Sequence, residues 1–226
     1  ARQNASTVRS SRGTDTSVAD QIDFTMNTNM HSAFKRETCR LRDSLVGIDL
    51  SDAQRVSGLR RRYRFFSTTL HAHHEGEDTY LWPPAQERAT PAEKVVLQAM
   101  TAEHIALQDT LNHLDEGMGS LGPGADTAAL GGHFDELLAV LNGHCAHEER
   151  DGVPIVQKYL TRPELKDFMA FTRAQEDSAL VLPWVCDGAT EQEKQTTWAM
   201  MPGFVRLFVR PMTTRKYQRF TRECGV

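Results

Sequence analysis

Two pairs of residues in this 226-residue chain have the spacing of a metal half-site: His73 with Glu77, and His144 with Glu148. Each pair is four residues apart. Four residues advance an α-helix by about 6 Å and return to nearly the same face, so both side chains of a pair can meet one centre. His31 stands 42 residues before His73, and His104 stands 40 residues before His144. The order His, then His-x-x-x-Glu, is therefore written twice. The local sequences "HHEGEDTYLWP" and "HCAHEERDGVP" also agree: both read H-x-x-x-E-acid, with a proline six residues after the glutamate. In an antiparallel bundle, such a duplication gives an approximate two-fold and two facing metal positions.

The residue types fit that chemistry. Neutral imidazoles and carboxylates suit iron or manganese, and a carboxylate can span two ions. Four histidines and two glutamates inside an apolar core are costly without a cation. The candidate metal ligands are thus His31, His73, Glu77, His104, His144 and Glu148. Their neighbours His71, His74, Glu75 and Asp78 fall off the centre of the helix face and are expected on the flank or surface, or as partners that hold the ligands. His113 is expected to be exposed. His133 shares a face with His144 but lies about 16 Å away along a helix. His147, three residues after His144, is a spare ligand candidate. Tyr80 and Asp151 occupy equivalent places, three residues after Glu77 and Glu148, and are candidates to fill or tune an open metal position.

Four long elements must carry these residues. Apolar residues recur in steps of three and four through each, as one buried helix face requires. The first helix is expected over about 28–46, capped by Asn27 or Thr28 and ended by Gly47. The second starts after Ser51 or Asp52 and runs to about Leu81, where Pro83 and Pro84 stop it. The third opens on "TPAE", with Thr90 as cap, Pro91 at the first helical position and Glu93 closing a capping box. The fourth spans about 126–160, with a late break at Gly152 and Pro154. Short connections between long amphipathic helices imply an all-α, up-down-up-down four-helix bundle over residues 21–161. Residues 1–20, rich in Ser, Thr and Arg, read as a disordered tail. Residues 162–226 read as additional C-terminal helices packed on the bundle. There Arg206, Arg210, Arg215, Lys216, Arg219 and Arg222 interleave with Phe204, Leu207, Phe208 and Tyr217. A solvated basic face over a packed apolar one is expected, with a membrane-surface helix as the alternative.

Composition narrows the function. The net charge of −4 gives no reason to expect nucleic acid. No apolar run approaches the ~20 residues of a membrane span, and no secretory leader is apparent. The four cysteines are scattered without a CxxC, which points to a reducing, cytoplasmic setting.

At His31, "HHEGED", "EHIALQ" and "HCAHEE" the chain resembles the hemerythrin-like, or HHE cation-binding, family. The stretch "LPWVCDG" and the tail that follows resemble extensions on actinobacterial members. The resemblance implies a non-heme di-iron centre, with two iron ions joined by an oxo or hydroxo group and by Glu77 and Glu148, and with His31, His73, His104 and His144 as terminal ligands. Manganese is the lesser alternative. It further implies that oxygen, peroxide or nitric oxide is bound or turned over, in which case an enzyme would be an oxidoreductase. Oxygen carriers of this family have His-x-x-x-His in the third helix, whereas here Gln108 follows His104 by four, a weak substitute. Reversible oxygen carriage is therefore disfavoured. The expected ligands leave about two open positions on two six-coordinate irons, where an oxidant could react. Two other readings use the same residues: an oxidase or oxygenase of a small organic substrate, whose pocket the C-terminal helices would wall, and an iron or oxygen sensor without catalysis.

Overall fold

The structure, a computed structural model, describes residues 22–175 and 177–225; the tail expected over 1–20 lies outside them. Four long helices form the bundle: α1 (Thr25–Asp43), α2 (Ala53–Gly76), α4 (Pro91–Gly119) and α5 (Thr127–His147). They pack in a closed ring, α1 on α2, α2 on α4, α4 on α5 and α5 back on α1. No strand occurs among the described residues.

Local chemistry explains the helix starts. Asp52 accepts from the backbone N–H groups of Gln54 and Arg55, and Asp126 from those of Ala128 and Ala129. Thr90 and Glu93 form the expected capping box. Each supplies acceptors for N–H groups that have no partner within the helix. Helix α1 departs from expectation. It starts three residues before Thr28, because Asp23 Oδ1 accepts from the Thr25 N–H at 2.8 Å. Asn27 is thereby inside the first turn and buried.

The prolines also act differently from expectation. Neither Pro83 nor Pro154 ends its helix. One wide π turn, Glu77–Leu81, follows α2 and leads into α3 (Trp82–Arg88). A second, Glu148–Gly152, follows α5 and leads into α6 (Val153–Tyr159). Trp82 N–H bonds to the Glu77 carbonyl, and Val153 N–H bonds to the Glu148 carbonyl. Each proline then sits in the first turn of the next helical piece, where its missing N–H costs nothing. The duplication seen in the sequence is thus repeated in the backbone, with both wide turns beginning at a candidate ligand.

Two apolar cores lie along the bundle. The larger joins Phe34, Leu41, Leu59, Leu70, Leu111 and Leu137 with their neighbours. The smaller gathers Ile22, Leu81, Trp82, Leu97, Met100 and Val156. On α2, α4 and α5 the candidate ligands fall between them: after Leu70 and before Leu81, after Met100 and before Leu107, and after Leu141 and before Ile155.

The C-terminal helices are α7 (Arg162–Gln175), α8 (Ser178–Cys186), α9 (Glu191–Ala199) and, after a third π turn at Val205–Val209, α10 (Arg210–Cys224). Helix α7 covers α2 and its wide turn, α8 and α9 pack on α1, and α10 packs on α8 and α2. A buried ion pair pins them. Arg62 of α2 donates to Glu37 of α1 at 2.6 and 3.1 Å, Trp184 Nε1 of α8 donates to the same carboxylate at 3.2 Å, and Arg62 reaches the Tyr217 hydroxyl of α10 at 3.3 Å. The expected apolar packing of the last segment is only partly present. Tyr217 is buried, but Phe204, Leu207 and Phe208 are each about two-thirds exposed. At about 100° per residue Tyr217, nine residues after Phe208, falls on the opposite side of the segment, so Tyr217 packs inward while Phe204, Leu207 and Phe208 face outward. No helix among the described residues is long and apolar enough to cross a membrane.

Candidate metal centre

The six candidate ligands are all buried: His31 1%, His73 3%, Glu77 0%, His104 5%, His144 2% and Glu148 0% exposed. Their polar atoms converge. His31 Nε2 lies 3.3 Å from Glu148 Oε2, and His144 Nε2 lies 3.4 Å from the same oxygen. His73 Nε2 lies 3.3 Å from Glu77 Oε1, and His104 Nε2 lies 3.5 Å from Glu77 Oε2. Each carboxylate therefore faces histidines from two helices.

Three imidazoles are fixed from behind. His31 Nδ1 is 2.8 Å from Glu149 Oε1, His104 Nδ1 is 3.0 Å from Asp78 Oδ2, and His144 Nδ1 is 2.9 Å from Glu103 Oε2. An ionised carboxylate only accepts, so each Nδ1 carries a proton, and in the neutral ring that a cation requires each Nε2 presents its lone pair inward. Carboxylate partners of this kind orient metal-binding histidines and raise their basicity.

That tautomer creates a conflict that a cation resolves. His104 Nε2 and His144 Nε2 stand 3.1 Å apart; with both rings neutral and protonated on Nδ1, two lone pairs face each other there. His73 Nε2, both Glu77 oxygens and Glu148 Oε2 are buried with no hydrogen-bond partner. Unsatisfied groups of this type cost several kcal/mol in total, at roughly 1–3 kcal/mol each or more when charged. The donor set is imidazole and carboxylate, and it fits iron or manganese.

Without a cation, the electrostatics are strained in both directions. Burial, with Glu148 close by, pushes Glu77 well above the usual carboxylate range. Burial, reinforced by His31, pulls His73 well below the ordinary imidazole value. His74 falls in the same way, by burial and then by His104. His144 is lowered by burial and by His104. Burial opposes charge on both His31 and Glu148, but their contact outweighs it, raising His31 and lowering Glu148.

Three sets of donor atoms lie mutually within 4.8 Å: His31, His73 and Glu77; His74, His104 and His144; and Glu77, His144 and Glu148. Glu77 belongs to two of these sets. His74 is the residue that sequence reasoning set aside. It is 8% exposed and stacks on His104 with ring centroids 4.3 Å apart. Asn27, read as a helix cap, instead donates its amide to Glu148 Oε1 at 2.7 Å. Its signal was available: Asn27 is four residues before His31 and shares its face. Glu103 and Glu149 were not singled out either. Each adjoins a candidate ligand in sequence, but each serves a histidine on a different helix.

The auxiliary candidates are placed elsewhere. Gln108 is exposed and donates to Asn112 at 2.9 Å, because the buried face of α4 passes from His104 to Leu107 and Leu111. Tyr80 is half-buried and packs on Phe171 of α7 at 5.2 Å. The wide turn after Glu77 needs one more residue to come back to the same face, so Leu81, not Tyr80, points inward. The same shift buries Gly152 and leaves Asp151 outside, where it binds Arg150 at 2.6 Å. His147 Nδ1 donates to Glu103 Oε1 at 2.7 Å and its Nε2 lies 3.4 Å from Asp151, one layer behind His144. His113 is exposed and stacks on His133, away from the centre. Asp78, which also accepts from Thr101 at 3.1 Å, is one of the expected holding partners.

A family model described as the hemerythrin HHE cation binding domain matches residues 27–156. That span includes every histidine and glutamate brought together above. Among curated proteins and solved structures, none matches the chain.

Proposed function

Because the chain belongs to the hemerythrin HHE cation-binding domain family, we propose that its bundle holds two iron ions between Glu77 and Glu148 and binds or turns over a small oxidant: oxygen, peroxide or nitric oxide. In this reading His31 and His73 serve one position, and His74, His104 and His144 serve the other. The observation that carries it is the inward convergence of four unpartnered buried atoms from His73, Glu77 and Glu148, beside the opposed lone pairs of His104 and His144.

The protein's own residues do three things. Glu149, Asp78 and Glu103 hold protons on Nδ1 and aim Nε2 at the centre. Asn27 holds one oxygen of Glu148 and leaves the other facing inward. Phe34, Leu70, Leu81 and Leu107, all fully buried, exclude water above and below. Bound there, a pair of irons would supply open coordination positions and reversible electron transfer to a small oxidant. His74 makes the two positions unequal, with three histidines on one and two on the other. The position served by His31 and His73 is the one left more open.

Metal analysis tests this directly. Purified protein reconstituted with ferrous iron in air should hold about two irons per chain and show an oxo-to-iron absorption band, and Glu77→Ala should lose both. A fully folded wild-type chain that retains no iron, or that retains a single zinc, would overturn the proposal.

A further inference from the structure

An open apolar cavity of about 210 Å³ adjoins the centre on the side of His73. Its walls are Met30 of α1, Leu165 and Phe168 of α7, and Val181 and Leu182 of α8; Asn27 and His73 form its inner end. The cavity depends on the C-terminal helices, which lie beyond the span matched by the family model. Gly76 permits the close approach of α7: a Cβ there would meet Phe168 at 2.9 Å.

Size decides what the cavity suits. One water occupies roughly 30 Å³, and a dry apolar cavity of about 150 Å³ takes a benzene ring. A diatomic gas or peroxide needs far less than 210 Å³, whereas a ring or chain of about six to ten carbons fills it. The lining is also adaptable. Five methionines reach it: Met26, Met30, Met169, Met200 and Met201. Such flexible side chains fit themselves to varied apolar shapes. Polar lining groups are few: His73 and Asn27, which are buried, Thr172, which is half-buried, and Asp23 and Arg173, which are exposed. This is the usual composition of a small-molecule site.

We propose that this cavity binds a small apolar organic molecule and presents it to the His31–His73 side of the metal centre. The proposal deepens the proposed function and rests on it, since that side is the one with fewer histidines.

Indole serves as the probe, added to the full chain. It should bind with one-to-one stoichiometry in calorimetry. Leu182→Trp and Met169→Trp, which fill the cavity from two helices, should each weaken it by at least about tenfold, as expected when most of the buried apolar area is denied to the ligand, with metal content unchanged. Met212→Trp, on an exposed site elsewhere, should have no effect. Indole proton signals should broaden in manganese(II)-loaded protein and not in zinc-loaded protein, which reports proximity to the centre. Unchanged affinity in both filled variants, or equal line widths with the two metals, overturns the proposal. Indole binding in a wild-type chain that takes up no metal overturns the metal centre and not the cavity.

Discussion

Asp78 Oδ2 lies 3.0 Å from His104 Nδ1, and the other Asp78 oxygen accepts from Thr101 at 3.1 Å. The aspartate is therefore held before it holds the histidine. Removing such a carboxylate costs about 10–100-fold in metal affinity in comparable sites. Asp78→Ala should weaken iron retention by that factor in a chelator competition while circular dichroism stays unchanged. Wild-type affinity in the variant would show that His104 needs no such support.

His74 and Gln108 make an opposed pair. His74 is buried against His104, and Gln108 is exposed and bound to Asn112. His74→Ala should reduce the retained iron from two ions per chain towards one, read by elemental analysis of reconstituted protein. Gln108→Ala should leave it at the wild-type value. The reverse result would return the missing ligand to Gln108.

Glu37 accepts from Arg62, Arg40 and Trp184, and both Glu37 and Arg62 are 1% exposed. Glu37→Ala removes the carboxylate nearest the buried Arg62 charge and leaves Asp187 at 3.9 Å; breaking a buried pair costs up to about 3–5 kcal/mol. Urea denaturation should show that loss, and protease sensitivity should rise first in α8 and α10. A change below about 1 kcal/mol, the range of an exposed pair, would mean the pair is solvated in solution.

Gly58 of α2 faces α10. A Cβ there would stand 2.5 Å from the backbone oxygen of Cys224, and a backbone cannot rotate away as a side chain can. Gly58→Ala should cost about 1–3 kcal/mol through overpacking and speed amide exchange in α10. Exchange rates in α4 and α5, on the far side, should stay near wild type.

Glu164 ties α7 to α3. Its carboxyl is held down at about 2, chiefly by hydrogen bonds from Arg88 and also from Thr161, against an opposing effect of burial. In an unfolded chain a glutamate titrates at about 4.3, so the unfolded state takes up the proton first as pH falls. The stabilisation is complete above about pH 4.3 and disappears as pH drops towards 2. Glu164→Gln should therefore lower Tm by about 2 °C near neutrality, as a surface pair of under about 1 kcal/mol implies. The gap from wild type should close in acid. A gap that widened with falling pH would contradict the sign.

The sequence by itself determined the elements and most of the centre. Steps of three and four placed His31, His73, His104 and His144 on buried faces, and the duplicated His-x-x-x-Glu put Glu77 and Glu148 beside them. The starts at Asp52 and Thr90 were legible because each cap acts within four residues of itself. Periodicity, however, assigns one inward face per helix and assumes a constant turn. In a ring of four helices, α2 has two buried flanks: His73 meets His31 of α1 at 5.3 Å, and its sequence neighbour His74 meets His104 of α4. Only the packing could admit His74. The wide turns at Glu77 and Glu148 add a residue to the period, and that moved Tyr80 and Asp151 off the centre and let the helices run on through their prolines. The carboxylates of Asp78, Glu103 and Glu149 act on histidines of other helices, and the apolar cavity lies between α1 and the C-terminal helices. Both depend on how neighbouring helices are rotated and spaced, a property of the assembled bundle that no single helix encodes.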